Sequence, residues 1–92
     1  MNEATNVKVS FPPTEAIATA VHDAGKPYGG QIEQWYFGFG QSVYGFLYGD
    51  PMQRWEDGTP IHTSYIVGIK ENQTILETRN TIYLLGTKRD KV

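Results

Sequence analysis

Residues 61–79 read I-H-T-S-Y-I-V-G-I-K-E-N-Q-T-I-L-E-T-R. Ile61, Thr63, Tyr65, Val67 and Ile69 occupy every second position, the period of a strand with one face on a core. A second short run, Thr74–Arg79, follows a polar turn at Glu71–Thr74, so the stretch predicts an antiparallel hairpin. With Glu71 paired to Thr74, Ile69 lies opposite Leu76 and Val67 opposite Thr78. The same register sets Ile66 against Arg79, Ser64 against Thr81 and His62 against Tyr83. One face then carries Tyr65, Val67, Ile69 and Leu76 as core, and the other gathers His62, Ser64, Arg79, Thr81 and Tyr83. A slip of one residue would exchange the two faces.

Outward from the hairpin, Ile82–Leu85 continues the last strand, and the charged residues Lys88, Arg89, Asp90 and Lys91 are expected to trail in solvent. Upstream, Asp50-Pro51 and Asp57-Gly58 mark two turns, with Arg54 and Trp55 between them. Gln31–Tyr48 reads as two strands: Trp35, Phe37 and Phe39 alternate, then Tyr44, Phe46 and Tyr48. Core packing is the expected role of most of these rings, and a stacking shelf built from Tyr44 and Tyr48 is the alternative. Gly38, Gly40, Gly45 and Gly49 interrupt the runs as bulges or bends of a curved sheet would. Gly25–Gly30 is expected to be a flexible connection. Before it, Ile17, Ala20, Val21 and Ala24 form one helical stripe, with Thr14 as the cap and Gly25 as the stop. Val7, Val9 and Phe11 suggest a short first strand that Pro12-Pro13 ends.

These elements predict an α+β fold: a small, mostly antiparallel β-sheet or partly open barrel with one short N-terminal helix. The 92 residues are expected to form a single domain, residues 1–92, with 1–6 and 88–92 flexible. A domain this short has a modest core, and without cysteine no disulfide or thiolate-bound zinc reinforces it. Association of copies is the remaining common remedy, so a homo-oligomer, dimer or larger, is expected. The formal net charge of −2 speaks against a DNA or RNA polymer as partner, because such binding draws on a strong positive field. No apolar run reaches the ~20 residues that span a bilayer, so no membrane contact is expected. Nor does the start of the chain read as a signal peptide.

The inventory for catalysis is thin. Ser64 and His62 are two apart, but no nucleophile elbow or matched acid accompanies them. His22 and His62 lack ligand spacing, so neither a metal nor a cofactor is expected, and the chain is read as a non-enzyme. Binding fares better. Arginine offers a planar fork to phosphate, Ser and Thr add donors, and Tyr and Trp faces stack bases. The candidate ligand-binding residues are Arg54, Trp55, His62, Thr63, Ser64, Arg79, Asn80 and Tyr83. Trp55 reads either as half of a clamp with Arg54 or as a plug at the end of the core. The wider alternative for the whole set is an ordinary solvated sheet face.

The string Y-G-D-P-x-x-R-W-x-D-G-T-x-I-x-T-S, followed by T-R-N-x-x-Y-x-L, resembles small phage and prophage proteins of the first Thoeris anti-defence family. The resemblance covers Tyr48 to Leu85. It implies a phage-encoded, non-catalytic sponge in the host bacterial cytoplasm. Such a sponge sequesters a cyclic nucleotide immune signal, either a cyclic ADP-ribose isomer or, in related sponges, a cyclic oligonucleotide. It also implies an oligomer that holds the nucleotide through arginine, aromatic and asparagine side chains. Where such a sponge would carry a further arginine near its N-terminus, this chain has Lys8 and Lys26. The alternatives are a phage inhibitor acting by protein–protein contact, with Arg54–Trp55 as its anchor, and a small phage accessory domain without a ligand.

Overall fold

The computed structural model describes residues 15–70 and 72–89. One helix, α1 (Glu15–Ala24), precedes six strands: β1 (Tyr28–Gly38), β2 (Ser42–Tyr48), β3 (Thr59–His62), β4 (Ile66–Lys70), β5 (Ile75–Thr78) and β6 (Ile82–Leu85). The strands form one sheet in the order β3-β2-β1-β6-β5-β4. Every neighbouring pair is antiparallel except β1 and β6, which run parallel at the centre. The fold is therefore small and α+β as expected, with a mixed sheet that does not close. The expected first strand around Val7–Phe11 and the Thr14 cap lie outside the described residues.

The main core lies on one face of the sheet. Ile32, Trp35, Val43, Leu47, Leu76, Tyr83 and Leu85 meet there, with Ile61, Ile66 and Ile69 packed against them. The stripe on α1 covers part of the other face: Ile17 and Ala20 pack with Tyr28, Ile75 and Ile82. Ile17 is fully buried, a contribution of about 1.5–3 kcal/mol relative to leaving it exposed. Burial also pushes the Tyr28 hydroxyl up to a pKa of about 12.

The predicted hairpin is half right. Ile69 pairs with Leu76 as expected, and Gly68 with Glu77. A bulge then shifts the register, so that Ile66 pairs with Thr78 where Val67 was expected. The bulge reverses the phase of the strand beyond Gly68. Ile66 therefore faces the core, while Tyr65 and Val67, expected in the core, are exposed, Val67 to 57%. Residues 61 and 62 do not continue this hairpin at all. They belong to β3 at the opposite edge of the sheet, where His62 pairs with Tyr44. Residues 63–66 carry the chain from one edge to the other. They are tied on the way by Thr63 N–H to Val43 O and Ile66 N–H to Gln41 O, both 2.9 Å, while Arg79 N–H donates to Tyr65 O at 3.1 Å.

Three further expectations are corrected. Residues Tyr28–Gly30 are the start of β1 rather than part of a loop. Of the six alternating aromatics Trp35, Phe37, Phe39, Tyr44, Phe46 and Tyr48, only Trp35 is buried in the core. Val43 and Leu47 point inward, which turns Tyr44, Phe46 and Tyr48 to the opposite face. Finally, Lys88 and Arg89 do not trail away. Trp35 N–H donates to Thr87 O, and Arg89 N–H donates to Trp35 O. The Lys88 ammonium sits 5.3 Å from the Trp35 ring centroid.

Candidate functional site: the Arg54–Trp55 loop and the edge of the sheet

The loop 49–58 between β2 and β3 is organised by Asp50, whose side chain is fully buried. One carboxylate oxygen accepts Met52 N–H at 2.9 Å, and the other accepts both the backbone N–H and Nε of Arg54, each at 3.0 Å. At the other end of the loop, Asp57 accepts Gly49 N–H at 2.7 Å, and Gly58 N–H donates to Leu47 O at 2.7 Å. The D-P pair was legible as a turn; the carboxylate reaching forward two and four residues was not read from it.

Arg54 is thereby aimed back over the start of β1. A Cβ on Gly29 would sit 2.9 Å from Arg54 Nη2, 2.8 Å from Tyr83 Cε1 and 2.5 Å from Thr81 Cγ2. Glycine is what lets the guanidinium lie down between Thr81 and Tyr83. Burial works against the arginine's charge, but Asp50 and then Tyr83 more than offset it, and its pKa is raised above the ordinary value.

Trp55 is 53% exposed and so does not plug the core. It lines a cavity of about 200 Å³ with Pro60, Ile61, His62 and Tyr83. A wider cavity of about 640 Å³ runs along the loop itself, between Gly49 and Asp57. Three carboxylates, Asp50, Glu56 and Asp57, line it beside the single guanidinium of Arg54.

Of the eight residues picked from sequence, the structure brings Arg54, Trp55, His62 and Tyr83 together here. It does not bring the other four. Thr63 is buried and committed to backbone: its hydroxyl accepts Val43 N–H at 3.0 Å and donates to Ser64 O at 2.8 Å. Ser64, Arg79 and Asn80 are exposed at a separate corner, where the β5–β6 turn meets the crossover from β3 to β4. His62, Ser64, Arg79, Thr81 and Tyr83 do not share a face, because the bulge and the departure of β3 break the register that would have aligned them. Glu77, the nearest acidic residue to Arg79 along β5, is bound by Lys26 at 2.6 Å. Lys26 also donates to Thr78 O at 2.8 Å, so it serves the junction between α1 and the sheet. Gly29, Asp50 and Thr81 were not picked as site residues. The turn signal pointed to Asp50 and the hairpin register placed Thr81 on the polar face, but no signal pointed to Gly29.

Among the described residues, no group of three or more His, Asp or Glu side chains is placed to hold a metal ion, and no helix is long and apolar enough to cross a membrane. The site is a structured loop on a small α+β domain: a fixed arginine, a half-exposed tryptophan and two flanking rings. Comparison of the chain with protein-family models, curated proteins and solved structures gave no match.

Proposed function

We propose that this protein is a non-catalytic binder of a small nucleotide. Arg54 supports the reading most directly. Its Nε is locked onto a buried carboxylate, and its Nη2 is presented beside Tyr83, with Trp55 and His62 at the neighbouring cavity. A pre-oriented guanidinium suits a phosphate, and adjoining rings suit a base. The resemblance over Tyr48–Leu85 narrows the proposal to a phage-encoded sponge that holds a cyclic nucleotide immune signal, a cyclic ADP-ribose isomer or a cyclic oligonucleotide, in the host bacterial cytoplasm. No chemical step is assigned to the site. The carboxylates around Arg54 weigh against a phosphate resting on this loop alone. Association of copies, bringing the exposed Arg79 and Asn80 of another molecule to the loop, is part of the proposal.

The test is thermal. The protein is melted with and without a panel of cyclic nucleotides, and one of them should raise the melting temperature in proportion to its affinity. The nucleotide, released by heat, should be recovered intact. Arg54→Ala should abolish the shift while leaving the free protein folded. A panel without any shift would overturn the nucleotide reading, and recovery of a cleaved product would overturn the sponge. A second reading, an inhibitor acting by protein contact, is favoured by Phe39, 91% exposed at the tip of the β1–β2 turn, and by exposed Tyr65 and Val67.

A further inference from the structure

The face of the sheet opposite the main core is divided. α1 covers its β5–β6 side. On the β1–β2–β3 side, Tyr36 and Tyr44 are half-buried, and Phe46 and His62 are exposed. These rings are ordered. Tyr36 and Tyr44 stack across β1 and β2 with centroids 5.6 Å apart and planes 23° from parallel. Tyr44 and His62 stack across β2 and β3 at 5.5 Å and 27°. Tyr44 lies over Gly38, where any Cβ would collide with its ring, so the ring rests flat against the backbone. The Arg89 guanidinium lies beside the row, 4.8 Å from the Tyr36 centroid, and its backbone is fixed by Arg89 N–H to Trp35 O at 2.8 Å.

A cavity of about 260 Å³ opens against Tyr36, Tyr44 and Arg89, with Gln34, Phe46 and Pro60 among its other walls. Its charge is the reverse of that of the Arg54 loop. Arg89 is the one charged residue lining it, and no carboxylate does. Among the described residues, no ion pair occupies the Arg89 guanidinium. Flat π-faces accept a flat ring, a guanidinium accepts an anion, and the Gln34 amide can both donate to and accept from a ring edge. The volume falls just below the ~300–1,000 Å³ of sites for drug-sized ligands, which suits one base and one phosphate rather than two of each.

We infer that the Tyr36–Tyr44 pair with Arg89 is a second binding site, separate from the Arg54 loop, for a planar aromatic ring carrying an anionic group, the chemistry of a nucleoside monophosphate. The rings supply the stacking surface and Arg89 holds the anion. A nucleic-acid strand shares this chemistry, but the net charge of −2 disfavours it.

The inference does not depend on the loop and is tested on the full chain carrying Arg54→Ala, which removes the other candidate site. Adenosine 5′-monophosphate is titrated against it while the backbone amides are followed by NMR. The amides of Tyr44, Gly45, Ile61 and His62 should shift saturably. Arg89→Ala, an exposed change that leaves the core intact, should weaken the monophosphate about tenfold, a loss of 1.4 kcal/mol, and leave uncharged adenosine unaffected. Tyr44→Ala should remove both. Shifts confined to residues 49–58, or absent, would overturn the inference. Equal loss of adenosine and its monophosphate on Arg89→Ala would also overturn it, because the guanidinium would then not be reading charge. A short single-stranded DNA that binds more tightly than the monophosphate and is released by salt would reassign the row to polymer binding.

Discussion

At the scale of single residues, Asp50 and Arg54 are partners with unequal stakes. The Asp50 side chain is wholly buried, whereas that of Arg54 is 36% exposed. Removing Asp50 strips two loop amides and one guanidinium of their acceptor. Removing Arg54 leaves the carboxylate still bound by both amides. Hydrogen bonds to charged groups contribute ~1.5–3 kcal/mol each, and solvent screening reduces the value of the half-exposed ion pair itself. Asp50→Ala should therefore destabilise the protein by about 2–4 kcal/mol, and Arg54→Ala by under ~1 kcal/mol, although both should impair binding at the loop. Urea titrations of the two variants measure this, and equal losses would show that the pair, not the amides, holds the loop. Tyr28 permits a sharper titration. Its pKa is raised from the ordinary 10.0 to about 12 by burial, so the folded state retains a proton that the unfolded chain releases. Stability contributed by Tyr28 is complete below pH 10 and is lost as the pH climbs towards 12. Tyr28→Phe should flatten that decline. The residues themselves were partly legible. Arg54 and Trp55 stand out because arginine beside tryptophan between two turns is conspicuous in a string. Gly29 does not, because its role exists only once β1 and β6 lie side by side.

At the scale of elements, alternation identified strands better than it identified partners. All six strands overlap stretches that read as extended, although β1 starts earlier, at Tyr28, and β3 at Thr59, and α1 ends at Ala24, before Gly25. The error lay in assuming that one period runs unbroken from Ile61 to Ile69. Gly68, with open space around its Cα, permits the bulge that reverses the phase, and a period-two reading cannot register an extra residue. The consequence is measurable, because unbroken alternation and the observed register predict opposite results. With Ile66 packed against the core and Val67 exposed, Ile66→Ala should cost about 1–3 kcal/mol, below the fully buried range because its side chain is only partly enclosed. Val67→Ala should stay within ~0.5 kcal/mol. Denaturant midpoints of the two variants decide it, and the reverse ranking would restore the unbulged hairpin. The mixed character of the sheet was illegible for a different reason. The chain completes two antiparallel neighbours on each side before β6 returns beside β1, and only long-range packing fixes the direction of that meeting.

At the scale of the whole molecule, the sheet is held across its centre by contacts between the first strand and the last described residues. β1 bulges after Glu33, where Gln34 adopts φ of +56°. Beyond the bulge its inner neighbour is no longer β6 but residues 87–89, through the bridge between Trp35 and Lys88. Three hydrogen bonds span this seam: Trp35 N–H to Thr87 O at 3.2 Å, Arg89 N–H to Trp35 O at 2.8 Å, and Thr87 N–H to the Glu33 carboxylate at 3.0 Å. Glu33 is buried, so the last bond also satisfies a carboxylate that would otherwise lose a donor. Lys88 and Arg89, read from sequence as solvent-borne, are thus structural, because their charges sit on aromatic rings while their backbone bridges to β1. A chain cut after Gly86 should lose about 0.5–1.5 kcal/mol for each neutral bond and ~1.5–3 kcal/mol for the one to carboxylate. The total, about 2.5–6 kcal/mol, is comparable with the net stability of many small domains. The shortened chain should melt far below the full-length protein, and its Trp35 amide should exchange with solvent at the rate of global unfolding. The two changes should appear together, because Trp35 is buried in the main core and cannot be released locally. A truncated chain with an unchanged melting temperature and a protected Trp35 amide would show that β1, β2 and β6 hold the core without residues 87–89.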